Sequence, residues 1–193
     1  MHDLAEELRT RLAERYAEPH RRYHDLRHLH EVLQTVDELS GAADDIDTVR
    51  WAAWFHDAVY DVHRADNEER SAELAVEELT ALGYEPARVD EVARLVRLTA
   101  THHPADGDAN GAVLCDADLR ILASESWRLA EYVHGVREEY AHVPEGDFRK
   151  GRAAVLRDLL SADRLYRTEV ARDRWEERAR ANLAAELRQL ESA

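Results

Sequence analysis

The stretch WAAWFHDAVYD, residues 51–61, carries the most apolar run of the chain and interrupts it with a histidine and an aspartate. Taken with the residues before it, from about Asp47 to Tyr60, it is apolar on nearly every side at helical spacing. That pattern predicts a helix buried at the centre of the fold. The uncharged run WAAWF is far too short to cross a bilayer. His56 and Asp57 then stand inside a buried helix. An unpaired ionised carboxylate there costs on the order of several kcal/mol unless something positive compensates. A divalent metal ion, with neutral imidazoles and a carboxylate as ligands, is the economical compensator.

Outward from this centre the chain keeps helical period. Leu4, Leu8, Leu12 and Tyr16 recur at four-residue spacing until Pro19 stops them, and a second helix is predicted over 24–39, ending before Gly41. Asp66 with Glu69 reads as a capping box for a helix ending at Gly83, and Pro86 suits the first turn of a helix reaching about Thr101. The segment HHPADGDANG reads as loop. Further helices are predicted near 112–123, 126–141 and 147–160, and a last one over roughly 171–191 with Trp175, Ala179, Leu183, Leu187 and Leu190 on one stripe. No segment alternates as a strand, and no repeat or flexible linker divides the chain. The expectation is an all-α, single-domain helical bundle over residues 1–193, the C-terminal helix packing on its core.

Composition narrows the function classes. Apolar residues make up 45% and charged residues 35% of the 193 residues, as in an ordinary globular chain. A net charge of −15 argues against broad nucleic-acid binding, which needs a concentrated basic face. Lys150 is the only lysine, and individual arginines could still fork onto a phosphate. The single cysteine, Cys115, excludes an internal disulfide, and MHDLAEELRT lacks a signal-peptide pattern. A cytoplasmic protein without a membrane partner is expected.

A second histidine-rich stretch precedes the central helix: YHDLRHLHEVL, residues 23–33. With Leu29, Val32, Leu33 and Val36 as the core stripe of one helix, His28 points inward, and His24 lies one turn earlier on the same face. His30 shares its side with Gln34, Asp37 and Glu38 and reads as solvated. Alone, His24 and His28 would pass as core-edge histidines satisfied by hydrogen bonds. They are not alone, because LCDADLRIL places Asp116 and Asp118 in another apolar helix, roughly 200° apart, so that only one of them can face a shared ion.

His28, then His56–Asp57, then a distant aspartate resembles the H…HD…D signature of the HD superfamily of metal-dependent phosphohydrolases. YHDLRH is similar to the YHNxxH motif of the cyclic nucleotide phosphodiesterases of that superfamily. Together with FHDAVYD, DNEERSAELA, DADLRIL, FRKGR and ERARANL, the resemblance to a bacterial subgroup of predicted HD phosphohydrolases covers nearly all of residues 16–190. It implies an HD-type bundle in which His28, His56, Asp57 and Asp118 hold a divalent ion (Mn, Ni, Co, Zn, Mg or Fe). It also implies that His24 donates a proton to a leaving oxygen and that Asp116 is a supporting or surface residue. The implied activity is hydrolysis of a phosphomonoester or phosphodiester by metal-activated water, on a small nucleotide-like phosphorylated substrate.

The remaining roles have competing readings. Asp61, one helical turn after Asp57, and Glu68 are candidates for orienting the nucleophile or taking its proton. Against this, Asp61 also reads as a helix-end aspartate, and Asn67, Glu68 and Glu69 also read as a favourable helix N-terminus. His102 and His103 suit a second ion or a phosphate, or are a surface pair; His63 beside Arg64 has less support. Arg149, Lys150 and Arg152 suit a phosphate or a solvated helix start. Glu177, Arg180 and Asn182 read as a network fastening the C-terminal helix. Two other functions stay in view: a silent metal- or ligand-binding module, and a two-iron oxygenase, since HD-type sites with two irons run that chemistry.

Overall fold

The apolar centre is buried as its pattern predicts. The computed structural model describes residues 2–192, so Met1 and Ala193, the ends of the expected 1–193 domain, lie outside the described residues. Nine α-helices occur among these: α1 His2–Tyr16, α2 Leu26–Glu38, α3 Ile46–Phe55, α4 Asn67–Ala81, α5 Pro86–Leu98, α6 Ala109–Asp118, α7 Ser126–Glu139, α8 Glu145–Ser161 and α9 Glu169–Ser192. Short 3₁₀ turns cover Ser40–Ala42 and Leu119–Ala123. There is no strand among the described residues, and no described helix is long and apolar enough to cross a membrane. The chain is an all-α bundle.

Helix α3 packs against α1, α2, α4, α5 and α6. Val49, Trp51, Ala52, Ala53 and Phe55 are all buried, while Asp47 and Arg50 form an ion pair on the exposed side of the same helix. On the far side, α9 lies on α8 and on the 119–123 turn, burying Trp175, Ala179 and Leu183.

Helix α6 runs from Ala109, inside the expected loop HHPADGDANG, to Asp118 and gives way to the 3₁₀ turn where the helix was expected to reach 123. The ends of α2 and α3 also depart from the expected ranges, and each of these shapes the site. Helix α2 starts at Leu26 and not at 24, because the Asp25 side chain accepts from the backbone N–H groups of Arg27 and His28 at 2.9 and 3.2 Å and so acts as N-cap. His24 therefore sits in a turn before the helix. Helix α3 ends at Phe55 and not at Tyr60. The carbonyl of Ala53, the acceptor an α-helix would offer to Asp57 N–H, takes a hydrogen bond from His56 Nδ1 at 2.7 Å. The hydroxyl of Tyr16 then accepts from Asp57 N–H at 3.2 Å and donates to the Trp54 carbonyl at 3.3 Å. The His-Asp doublet thus occupies a helix end and the turn after it.

The expected capping box at Asp66 and Glu69 does not form. Arg64 binds the Asp66 carboxylate at 2.7 and 2.6 Å, and Arg97 binds that of Glu69 at 2.6 and 2.7 Å. In the C-terminal fastening network the acid is Glu176, which meets Arg180 at 2.7 Å, and not the exposed Glu177. Arg180 also donates to the carbonyls of Leu160 and Ala162, and Asn182 to those of Leu122 and Ser124.

Candidate metal centre

Three helix ends converge. His28 comes from the first turn of α2, His56 from the C-cap of α3 and Asp118 from the last residue of α6. One ligand atom from each lies within 4.8 Å of the others. Nε2 of His28 and Nε2 of His56 face each other at 3.0 Å. Asp57 Oδ2 stands 3.2 Å from His56 Nε2 and 3.5 Å from His28 Nε2, and Asp118 Oδ1 stands 3.3 and 3.7 Å from His28 and His56.

These separations test whether the groups fit one ion. Ligand atoms about 2.1 Å from a common centre stand roughly 3.0 Å apart across a right angle and roughly 3.4 Å apart at a tetrahedral angle. Among His28, His56 and Asp118 the spacings, from 3.0 to 3.7 Å, fall around those values. Asp57 reaches both histidines but is not part of the group whose ligand atoms all lie within 4.8 Å of one another. The hydrogen bond of His56 Nδ1 to Ala53 leaves its Nε2 as the lone-pair atom facing the cluster. His28 and His56 are almost wholly buried, at 2% and 1% exposure. Both rings are held toward their protonated forms: burial opposes this, but Asp118 and Asp57 carry His28 up to about 10 and Asp57 raises His56. Burial likewise works against charge on Asp57 and Asp118, yet the surrounding histidines hold both well below the usual carboxylate range. His28, His56 and Asp118 form a group that could hold a metal ion, with Asp57 beside it.

Of the paired aspartates, Asp118 is the one that joins the cluster. Asp116 is fully buried and points elsewhere: its two oxygens accept from the backbone N–H groups of Arg167 and Thr168, both at 2.7 Å, just before α9 begins. Burial pushes its carboxyl up to about 6. It is a fastener for the C-terminal helix, not a surface residue.

His24 stands beside the cluster, its ring centroid 5.6 Å from that of His28. Its Nδ1 lies 2.8 Å from Oε2 of Glu139, which also accepts from Tyr60 Oη at 2.9 Å. The imidazole stacks on Tyr60 at 4.4 Å. A carboxylate only accepts, so Nδ1 carries the proton and Nε2 is left free. The turn behind the ring is fixed by buried Arg21, which donates to the carbonyls of His24 and Asp57 at 2.9 and 2.8 Å. Neither Glu139 nor Arg21 stands out in the sequence: one sits on an ordinary amphipathic helix, the other in a polar turn.

A cavity of about 410 Å³ opens onto the cluster, walled by His24, Asp57, Asp118, Glu68, His102 and Tyr140 among others. Glu68 is half-buried in that wall with no hydrogen-bond partner among the described residues. Asp61 is not there. It lies in a turn, not one helical turn beyond Asp57, where its Oδ1 accepts from His63 N–H at 2.9 Å, and it borders a separate cavity. His102 reaches Asp118 directly, Nε2 to Oδ2 at 2.8 Å, so it orients a ligand carboxylate by its second oxygen. It does so from the left-handed backbone region, φ 55°, with its N–H closing α5 on the Leu98 carbonyl at 2.9 Å. His103 is exposed and borders neither cavity at the cluster.

Arg149 and Arg152 are not brought to the site. Arg152 forms a buried pair with Glu186 at 2.7 and 3.0 Å and donates to Tyr132 Oη at 2.8 Å, while Arg149 donates to the Leu190 carbonyl. Both tie α8 to α9. Compared with known proteins, the chain matches no family model, no curated protein and no solved structure, so its chemistry rests on these residues.

Proposed function

We propose that the chain is a metal-dependent phosphohydrolase of the HD kind, cleaving a phosphate ester of a small molecule. The motif resemblance supports this, and one observation carries it: a group of two buried histidines and Asp118, with Asp57 beside it, meets through its carboxylates a cavity that also holds an anchored histidine outside the group. A purely structural ion has no need of such a neighbour. A divalent ion held by His28, His56, Asp57 and Asp118 supplies Lewis acidity toward a phosphoryl oxygen and lowers the pKa of water.

The chain's own residues move the protons. A water oxygen forms a bond to phosphorus, and the bond from phosphorus to the leaving oxygen breaks with its electron pair on that oxygen. His24, carrying a second proton on Nε2 while Nδ1–H stays on Glu139, gives the Nε2 proton to that oxygen, and Glu68, the free carboxylate in the wall, takes one from the water. Tyr60 and Glu139 keep the donor ring in one orientation. Arg64, the one arginine in this wall, is already bound to Asp66. Single phosphoryl groups therefore suit the cavity's charge better than polyphosphates.

The test is product release from a panel of nucleotides and phosphoesters, run with each of several divalent metals. Turnover should require metal, and His24→Gln should lower it by roughly 10²–10⁴ with metal content unchanged. An ion-loaded protein that releases nothing from any member would be a binding module instead.

A further inference from the structure

A second cavity touches the cluster from another side. It measures about 220 Å³, lies between α2 and the 119–123 turn, and includes His28 and Asp118 in its wall. Asp118 is the one residue it shares with the larger cavity. We infer that this cavity binds the arm of a phosphodiester that stays on phosphorus, gripping an anionic end of that arm with Arg120; the inference rests on the phosphohydrolase reading.

Arg120 lines this space half-buried. Its guanidinium rests on the indole of Trp175, 4.6 Å from the ring centroid, and forms no ion pair among the described residues. Two arginines of other helices differ: Arg27 of α2 and Arg128 of α7 are both bound to Glu31. Glu31 and Glu38 line the same space, but Glu31 is taken up by Arg27 and Arg128, and Arg120 pairs with neither, which leaves its guanidinium available to an outside anion. Stacking on Trp175 holds it ready. Tyr23, in the same wall, has a buried hydroxyl with no hydrogen-bond partner.

The placement of His24 gives the two cavities different roles. A phosphomonoester has one ester arm and a diester has two. The proton donor borders the larger cavity alone, so the departing arm lies there and the retained arm lies toward Arg120. The smaller space is below the roughly 300 Å³ of ordinary ligand pockets, so it suits a short arm ending in a carboxylate or phosphate. Hydrolysis then adds water across one P–O bond, releasing an alcohol from the larger cavity and leaving a phosphomonoester in the smaller.

Three esters with one leaving group test this: p-nitrophenyl phosphate, methyl p-nitrophenyl phosphate and 2-carboxyethyl p-nitrophenyl phosphate. Both diesters should be hydrolysed with higher kcat/KM than the monoester. The carboxyethyl ester should show a KM lower than the methyl ester by about tenfold, the worth of one charged hydrogen bond. Arg120→Gln should erase that difference while leaving metal content and the methyl-ester kcat unchanged. A monoester that is fastest, or a carboxyethyl preference that survives Arg120→Gln, overturns the inference. A parallel binding titration of the metal-loaded protein with the carboxyethyl ester reads tryptophan fluorescence, with Trp175→Phe identifying the signal. Arg120-dependent binding without hydrolysis of any ester would overturn the hydrolase reading and leave the subsite standing. Hydrolysis with no Arg120 dependence would do the reverse, and neither response would overturn both.

Discussion

Glu139 Oε2 lies 2.8 Å from His24 Nδ1, although 115 residues separate them in the chain. Its other oxygen accepts from three successive backbone N–H groups, those of Arg22, Tyr23 and His24, at 2.8, 2.8 and 3.0 Å. One buried carboxylate therefore organises both the turn and the ring. The approach depends on Gly135, one turn earlier on α7, where an added Cβ would stand 3.1 Å from the Arg22 carbonyl and from Tyr23 Cβ. Helix α7 comes that close because the position is glycine.

This contact makes stability pH-dependent. Burial alone would raise the Glu139 carboxyl, but His24 and the backbone donors carry it down from 4.5 to about 2. A folded-state value below the unfolded one adds stability above about pH 4.5, and that stability is lost as pH falls toward 2. The contribution at neutral pH is about 3 kcal/mol. Glu139→Gln should lose most of it at pH 7 and show a flatter profile from pH 5 to 2, measured by urea unfolding at stepped pH.

Removing ligands separates Asp118 from Asp116. His28→Ala, His56→Ala, Asp57→Ala and Asp118→Ala should each lose bound metal after dialysis, whereas His30→Ala and Asp116→Ala should keep it. Asp116→Ala should instead destabilise the fold by on the order of 2 kcal/mol, because two buried N–H groups before α9 lose their acceptor. Metal lost from Asp116→Ala and kept in Asp118→Ala would reverse the assignment.

Ion binding should release protons. Without an ion His28 is held protonated, its pKa carried up to about 10 by Asp118 and Asp57 against the effect of burial. A folded value above the ordinary 6.5 stabilises the metal-free protein below pH 6.5 and fades as pH climbs to 10. An ion must displace that proton, so its apparent affinity should rise with pH between 6.5 and 10. Calorimetry in two buffers of different ionisation enthalpy should show proton release at pH 7.5, about one per ion from His28 and any further release from His56. Pure heat of binding with no buffer dependence would mean that His28 is not a ligand.

What the sequence makes legible is local. Apolar period locates the helices and the inward side of His28, while His56 and Asp57, expected inside the central helix, stand at its end and in the turn after it. Helix ends are less legible: Asp25 and Tyr16 set them by side-chain hydrogen bonds to N–H groups that periodicity does not see. Glu139 escapes altogether, since nothing near it on α7 marks it apart from a solvated glutamate. His102 has an obvious type but not an obvious partner, which a strained turn at the end of α5 supplies.

The same limit explains FRKGR. Arginines at this spacing suit a phosphate, yet Arg152 is buried against Glu186 and Tyr132. Arg152→Leu should therefore destabilise the protein by about 3–5 kcal/mol, the cost of stranding a buried carboxylate, with KM for any substrate unchanged. Adding Glu186→Leu should recover much of the loss, as seen by melting temperature. A raised KM with unaltered stability would return Arg152 to the substrate.

The two inward histidines of YHDLRH should fail differently. They are neighbours, 5.6 Å between ring centroids, so a purely structural account predicts similar damage from either. The geometry gives them different partners: His28 Nε2 meets His56, Asp57 and Asp118, while His24 meets Glu139 and Tyr60. His28→Gln should lose metal and activity together, whatever the leaving group. His24→Gln should keep metal and lower kcat by roughly 10²–10⁴ for alkyl esters, whose oxygen must be protonated as it departs. For p-nitrophenyl esters the deficit should shrink, because that oxygen leaves as a stable anion. Glu139→Gln should show the same leaving-group dependence at smaller amplitude, since it removes the orientation of the donor and not the donor itself. An equal deficit for both ester classes in His24→Gln would assign the proton to another group.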